Sequence, residues 1–491
     1  MKLQDLLSDL ETKTVSGPDD VDVSHIAYDS RKVGPGAIFV CVSGLRSDGH
    51  KFVREAVSSG AVAVVVDRDV PVDDAVRIRV PDSRKALALL ACSFHGHPSR
   101  KLKIAGITGT NGKTTVSYLV QSICSQAGLK AGVIGTVGYD VGDTKLKGSH
   151  TTPEAPEFQE LLSRMVAQRI SHAAVEVSSH ALALRRSYGT KFDVVVFTNL
   201  TRDHLDFHGT FEDYRKAKLR LFDRAERGVS EKDRPTAVLN LDDPFSDALA
   251  EAVGEDIIGY SIDKDADLRA RDVKLFPGGS TFSVIWKGQA FEVRLSLPGL
   301  FNVANALAAF GVGTSFGIEG HHAVRGLEAM KGVKGRLELV EKCQPFSVFV
   351  DYAHTPDALS NVLRTVRDIT KGNLICVFGC GGERDKGKRS EMGRVSGALA
   401  NYTVITSDNP RSEEPLSIIT EIEEGMLAAG GCYETVPDRR EAIGRAIARA
   451  RQGDSVLIAG KGHEDYQILG DKVIHFDDRE VVEEFLNGRS R

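Results

Sequence analysis

No stretch of this chain strings together the roughly 18 apolar residues that a membrane-crossing helix requires. The first ten positions carry Asp5 and Asp9 where a secretory leader needs an unbroken apolar run. A cytoplasmic location without membrane insertion is the expectation. A surplus of one charge is also missing: 63 Lys and Arg stand against 68 Asp and Glu, and a net charge of −5 leaves no excess of cations for nucleic-acid phosphates. The seven cysteines, at 41, 92, 124, 343, 376, 380 and 432, are odd in number and contain no Cys-x-x-Cys pair. That excludes a disulfide framework and the usual zinc spacings, and predicts reduced, mostly buried thiols. Repeats of about 20–50 residues and low-complexity tracts are absent, which excludes a solenoid or a disordered chain.

What is present sets the scale. A chain of 491 residues exceeds what one hydrophobic core organises, and a prior of about 150 residues per domain predicts about three domains with clefts between them. Hydrophobic residues at 41% and charged residues at 27% describe a globular α/β protein. Residues 1–98 read as a small α/β unit, with an apolar run at 36–43, an amphipathic stretch at 52–60 and a strand-like run at 61–67. The segment 95–103, with Gly96 and Pro98, breaks the helical pattern of 84–94 and closes that unit. Over 99–334, apolar runs at 104–108, 131–137, 173–177, 194–200 and 237–241 alternate with helical periods, the pattern of a mostly parallel sheet wrapped by helices. Within it, 262–298 reads as short antiparallel strands with a turn at Pro277-Gly278-Gly279. A second alternation over 335–491, with strands at 347–351, 374–378, 403–406 and 455–459, predicts a Rossmann-like third domain.

The strand at 104–108 runs into Gly109-Thr110-Asn111-Gly112-Lys113-Thr114-Thr115 and then a helix, 116–127, which Gly128 stops. Gly109 and Gly112 let backbone N–H groups approach phosphate oxygens, and the helix start adds a favourable dipole. Lys113 supplies a positive charge, and Thr114 a hydroxyl for Mg²⁺. ATP is the ligand this unit predicts. The general phosphate-loop pattern would also place glycine at 107, where Ile107 stands. Glu176 ends one predicted strand, while Asn199 and His204 follow another. Carboxyl ends of parallel strands converge on one crevice, where Mg²⁺ takes a carboxylate and His204 offers a softer donor.

The loop spacing resembles that of the Mur ligase and folylpolyglutamate synthetase superfamily. Glu176-Val-Ser-Ser-His and Asn199-Leu-Thr-Arg-Asp-His204-Leu-Asp-Phe-His-Gly are similar to the Mur ligase magnesium segments. The resemblance implies a metal set of Thr114, Glu176, His204 and Lys218. Residues 214–222 are similar to the family helix whose lysine reacts with CO₂. Position alone does not choose among Lys216, Lys218 and Arg220; the resemblance selects Lys218, which as a carbamate would offer oxygens to a second Mg²⁺. Asn302 and Asn305 share one face of a helix start, where one could serve as a cap. The resemblance implies that both contact the adenine and phosphates, that Arg336 meets the phosphates, and that Asp351 meets the ribose. Lys113, Lys218, His204 and Arg336 are the catalytic residues it implies.

The N-terminal unit carries Tyr28-Asp29-Ser30-Arg31-Lys32-Val33, with Gly36 and the segment 44–50 following. It resembles the UDP-binding domain of the family's muramoyl-dipeptide and muramoyl-tripeptide ligases, which implies Ser30 as the uridine-diphosphate contact. Thr151, Thr152, Ser178 and Arg186 match positions that hold the muramoyl dipeptide; Leu184 stands where some relatives carry Gln, which removes one hydrogen bond. Asp408-Asn409-Pro410-Arg411 resembles the motif of the diaminopimelate-adding members, and Arg384, Gly460 and Glu464 match further acceptor positions. Diaminopimelate differs from lysine by a distal carboxylate, which an arginine fork pairs with bidentately. The implied function is ATP-dependent addition of meso-diaminopimelate to the UDP-muramoyl dipeptide in peptidoglycan synthesis, through an acyl phosphate and with release of ADP and phosphate. A monomer without a covalent enzyme nucleophile is expected. Lysine addition by the same family and acceptor-independent ATP hydrolysis are the alternatives.

Overall fold

The computed structural model describes every residue except 45–46, 149, 224–226, 229, 231–233, 255 and 490–491; positions 45 and 46 of the N-terminal motif therefore lie outside the described residues. Three sheets of five, eleven and six strands follow one another along the chain, with a separate hairpin near the C-terminus. The α/β class and the three-part organisation expected from the sequence are present.

The first sheet runs, edge to edge, Thr14–Ser16, Val76–Arg79, Ala61–Val66, Ala37–Val40, His25–Ala27, and only the first of these strands is antiparallel to its neighbour. Ala37–Val40 is buried at every position, as an apolar run without alternation requires when both faces are covered. The helix Ser83–Phe94 closes one face. Asp82 caps it by accepting from the N–H groups of Arg84 and Lys85.

In the central sheet, the parallel run is Ile257–Ser261, Thr236–Asn240, Val194–Phe197, Lys103–Thr108, His172–Glu176, Ala131–Gly135. Its middle strands are buried on both sides. One face packs on the helices Lys113–Gln126, Leu300–Ser315 and Gly320–Ala329. The other packs on Ala155–Ala167 and Phe245–Val253. Leu268–Phe276, Gly279–Trp286 and Gln289–Leu295 extend one edge, the latter two joined to their predecessors antiparallel, as the alternation at 262–298 predicts. The strand that ends in the phosphate loop therefore sits between the two strands that deliver Glu176 and Asn199.

The third sheet is ordered Glu338–Leu339, Ser347–Asp351, Ser455–Ala459, Leu374–Phe378, Tyr402–Ile405, Tyr433–Thr435, parallel except for its first strand. The strand expected at 403–406 begins and ends one residue earlier. The hairpin Tyr466–Leu469 with Lys472–His475 stands beside the carboxyl edge and bridges to Arg411.

All seven cysteines are free, five of them buried, and burial pushes the thiols of Cys41, Cys92, Cys124, Cys376 and Cys380 up to about 12. Cys343 and Cys432 are exposed, in keeping with thiols that are mostly but not all buried. Among the described residues no helix is long and apolar enough to cross a membrane.

Two histidines at the third domain's carboxyl edge, His354 and His463, are held near 4, chiefly by burial and then by the neighbouring cations Lys388 and Arg336 respectively. A base whose folded pKa is depressed supports the fold fully above its ordinary value, and this support fades as pH falls toward 4. Each should make unfolding easier by up to about 1.4 kcal/mol per pH unit between roughly pH 6.5 and 4. Thermal unfolding at pH 7 and 5 checks this: His354→Gln should flatten the pH dependence.

Candidate active site

The phosphate loop is shaped by close approach. Gly109 and Gly112 have φ of +150° and +88°, and an added Cβ would lie 1.8 Å from Thr198 Oγ1 at the first and 2.3 Å from Asn305 Oδ1 at the second. Asn111 N–H donates to Asn199 Oδ1 at 2.9 Å, while Asn199 Nδ2 and Thr198 Oγ1 both donate to the Asn111 carbonyl. Thr110 Oγ1 is bound to the Thr201 carbonyl and the Tyr214 hydroxyl. The loop therefore keeps its shape through neighbouring strands. Thr114 and Thr115 lie buried in the first turn of Lys113–Gln126, whose leading N–H groups lack partners within the helix. Gly109→Ala should raise the KM for ATP about tenfold or more, since backbone strain of about 1–3 kcal/mol would fall on the phosphate-binding loop; steady-state kinetics at saturating second substrates reads it.

Two ammonium groups converge on one oxygen. Lys113 Nζ donates to the Gly109 carbonyl at 2.7 Å and to that of Thr110 at 2.8 Å, and Lys218 Nζ donates to the same Gly109 carbonyl at 2.8 Å. Lys218 is 1% exposed, and burial, reinforced by Lys113, pushes its pKa well below the ordinary lysine value. Lys113 is also lowered by burial, against the raising influence of Glu176 and Asp203. The arrangement favours a neutral amine at Lys218. Lys216, by contrast, is exposed on the same helix.

Glu176 is fully buried at its strand end and accepts from Thr136 N–H at 2.9 Å, Thr136 Oγ1 at 3.0 Å and Thr114 Oγ1 at 3.0 Å. A hard Mg²⁺ takes one or two carboxylates, with phosphate oxygens and water completing its octahedron. The Thr114 hydroxyl and the Glu176 carboxylate fit that donor set. His204 has φ of +54°, lies 3.4 Å from Asp203, and packs against the rings of His180 and Tyr214. Desolvation lowers its pKa, with Lys113 and Lys218 acting in the same direction against Asp203, which favours the neutral imidazole that metals bind. Among the described residues no three His, Cys, Asp or Glu side chains form a ready metal cluster. Glu176, at a strand end, and His204, just before the helix Leu205–His208, thus belong to no such cluster.

The third domain reaches into this loop. Arg336 Nη2 donates to Thr114 Oγ1 at 3.2 Å, its guanidinium stacks 4.9 Å from the Tyr352 ring, and its buried Nε has no hydrogen-bond partner. Asp351 is occupied by the backbone: its carboxylate accepts from Leu337 N–H and Ala353 N–H, so it anchors the segment bearing Arg336. Asn302 donates to the Pro298 carbonyl and Asn305 to Asn302 Oδ1, both buried beside the loop.

Farther along the same edge, Asp408 and Asn409 are buried, and Asn409 Nδ2 donates to Glu464 Oε2 at 3.0 Å. Pro410 is buried and closely backed, since a Cβ on Gly382 would meet its carbonyl at 1.9 Å. Arg411, at φ +53°, fixes Nη1 on the Gly382 carbonyl at 2.7 Å, and the hairpin binds its backbone on both sides. Gly460, at φ +116°, passes 3.6 Å (as a Cβ) from Asp408 Oδ2. Arg384 is exposed beside Arg411.

Comparison with known proteins reaches the same architecture. The models for the Mur ligase family catalytic domain, the Mur ligase middle domain, and the Mur ligase glutamate ligase domain match residues 22–95, 107–313 and 335–462. The UDP-N-acetylmuramoyl-L-alanyl-D-glutamate--2,6-diaminopimelate ligase of Syntrophomonas wolfei is 44% identical over 491 residues, covering all of both chains. The chain belongs to the Mur ligase family. The Clostridium tetani ligase of the same name is also 44% identical, over 99% of each chain. A solved structure of a ligase so named has a TM-score of 0.72 at 32% identity, covering 100% of this chain and 99% of that one.

In this Mur ligase the first and second domains meet around the residues matched to the muramoyl nucleotide. Ser30 opens the short 3₁₀ turn Ser30–Lys32, two residues from Tyr28, whose hydroxyl donates to Glu157 Oε1 at 2.8 Å. Thr152 Oγ1 donates to the Glu176 carbonyl and receives Ser178 N–H, and Thr151 Oγ1 touches Thr136 Oγ1 at 3.0 Å. Ser178 caps its own helix. Arg186 donates to the Thr152 carbonyl and pairs with Glu154 at 2.7 Å. Thr151, Thr152, Ser178 and Arg186 are therefore joined to Thr136 and Glu176 in one hydrogen-bonded unit.

Several participants were not singled out by sequence reasoning. Thr136 holds Glu176, Tyr214 lies between Thr110 and Lys218, and Tyr352 carries Arg336. Lys461, fully buried, lies 3.5 Å from Asp408 and 3.4 Å from Glu464. Only Lys461 had a usable signal, a lysine flanked by Gly460 and Gly462 next to Glu464.

Proposed function

We propose that this chain catalyses the ATP-dependent addition of meso-diaminopimelate to UDP-N-acetylmuramoyl-L-alanyl-D-glutamate, releasing ADP and phosphate, in the cytoplasmic assembly of peptidoglycan precursor. Full-length relatives that carry this name support the reading. The observation that carries it is the charge arrangement at the third domain's carboxyl edge: the Arg411 guanidinium has no carboxylate within ion-pair reach among the described residues, and the Asp408 and Glu464 carboxylates lie on the same edge. An end group bearing both a carboxylate and an ammonium complements that set.

Lys113, the free N–H groups at the start of Lys113–Gln126, and the partnerless Arg336 Nε are the donors positioned for phosphate charge. Arg336 arrives from the third domain, so closing the cleft completes the set and excludes water. Thr114 and Glu176 would hold Mg²⁺, with His204 near a second position; the cation's contribution there is neutralisation of phosphate charge. The neutral Lys218 amine is suited to attack CO₂, forming an N–C bond and releasing one proton. The product anion would attract Lys113, where two protonated lysines would repel. With donors held in this way, the D-glutamate carboxylate attacks the γ-phosphorus, ADP leaves, and the acceptor amine displaces phosphate from the acyl phosphate. No side-chain nucleophile is needed, and a monomer contains every group named.

ADP release in the presence of UDP-muramoyl dipeptide, with meso-diaminopimelate, lysine or no acceptor, tests the proposal. Turnover should require an acceptor and be strongest with diaminopimelate. Preference for lysine would overturn the acceptor assignment, and turnover independent of any acceptor would overturn the ligase.

A further inference from the structure

Lys461 is 0% exposed, and its Nζ lies 3.5 Å from Asp408 Oδ1, 3.4 Å from Glu464 Oε2 and 3.3 Å from Asn409 Oδ1. Two carboxylates that share one buried site repel, and one tends to keep its proton unless a cation is present. The other buried cation acting on this pair is Arg439. It is committed elsewhere: its Nε and Nη2 bind both oxygens of Asp478 at 2.7 Å, and it donates to the Ser407 and Ala459 carbonyls. Arg411 forms no ion pair with either carboxylate among the described residues, and Arg384 is solvent-exposed and screened. Tyr352, Tyr466 and His354 also face Asp408 or Glu464, but as neutral groups they add no charge near pH 7.

With Lys388 set apart on the His354 carbonyl at 2.9 Å, the four charged groups gathered around Asn409 sum simply. Asp408 and Glu464 are negative, Lys461 and Arg411 positive, and the total is zero. The far end of diaminopimelate, one ammonium and one carboxylate, also sums to zero, whereas the far end of lysine carries +1. We infer that Lys461 is a specificity-determining residue: it sets the pocket's charge to match a zwitterionic acceptor end and so disfavours lysine. The inference rests on the proposed acceptor site and adds to it a cation that contacts the pocket's acids rather than the acceptor's carboxylate. Without Lys461 the pocket would carry −1, the complement of a lysine end.

Lys461→Met, of similar length and uncharged, provides the test, read as the ratio of kcat/KM for diaminopimelate to that for lysine between pH 6 and pH 9. The ratio should fall about tenfold at pH 9, where Glu464 is ionised. It should return toward the wild-type value at lower pH, where Glu464, whose pKa burial and then the neighbouring Asp408 raise, takes up a proton and restores the sum to zero. Lys461→Arg should keep the wild-type ratio. Equal losses for the two acceptors at every pH would reduce Lys461 to a structural role and overturn the inference. If Lys461→Met does not fold, Glu464→Gln is compared with Lys461→Met/Glu464→Gln: adding the lysine substitution should move the ratio toward lysine, and an unmoved ratio would overturn the inference. A wild-type enzyme that uses neither acceptor would remove the acceptor site itself, whereas an acceptor-dependent wild type with an unmoved variant ratio removes only the role of Lys461.

Discussion

Lys218→Ala should lower kcat by at least about 10³-fold, with the KM for ATP changed far less, and added formate or acetate should restore part of the loss. The size follows from removing a group that supplies charge compensation where phosphate charge develops, an effect worth about 10²–10³-fold for a single preorganised donor and more for an anion that organises a cation. The reason it falls on this lysine is geometric. Lys113 and Lys218 both donate to the Gly109 carbonyl, so the buried pair cannot comfortably hold two positive charges. A short carboxylate in the space left by Lys218 would replace the proposed carbamate anion without its tether. Undiminished turnover in the variant, measured by coupled ADP release, would remove Lys218 from the chemistry.

Arg411→Lys should lower kcat/KM for diaminopimelate by about 10²–10⁴-fold while changing the weak activity with lysine little, because a site built to bind a polar group loses most when that pairing is lost. Arg411 has one guanidinium nitrogen anchored on the Gly382 and Asn409 carbonyls, which orients the rest of the fork. A lysine ammonium at the same place is a point charge without the fork, so charge alone should not rescue. Equal losses with both acceptors would place Arg411 in the scaffold of the loop rather than against the distal carboxylate.

The fold was legible where burial is two-sided. Runs such as Ala37–Val40 and Val194–Phe197 have no alternation because helices or other layers cover both faces, and the strand–glycine–lysine unit at 104–115 announced its own geometry. Grouping of separate segments was also legible, since Asn409 and Glu464 do meet. The particular bonds between distant segments were not. That Arg336 reaches Thr114, 222 positions away, depends on how the third domain is set on the second. Asp351 illustrates another limit: the family resemblance implied a ribose contact, and here both oxygens accept from the backbone N–H groups of Leu337 and Ala353, which no spacing rule foretells. Thr136 and Tyr214 were invisible for a related reason, because a threonine or tyrosine becomes part of a site only through what its strand or helix places beside it.

The central claim is that one closed cleft brings a carboxylate against the γ-phosphate held by Lys113 and Arg336. It is tested most directly with UDP-muramoyl dipeptide labelled with ¹⁸O in the D-glutamate side-chain carboxylate, by mass analysis of the phosphate released during a single turnover with diaminopimelate. Transfer of one labelled oxygen to each phosphate is the predicted result. Unlabelled phosphate, its fourth oxygen taken from water, would contradict it.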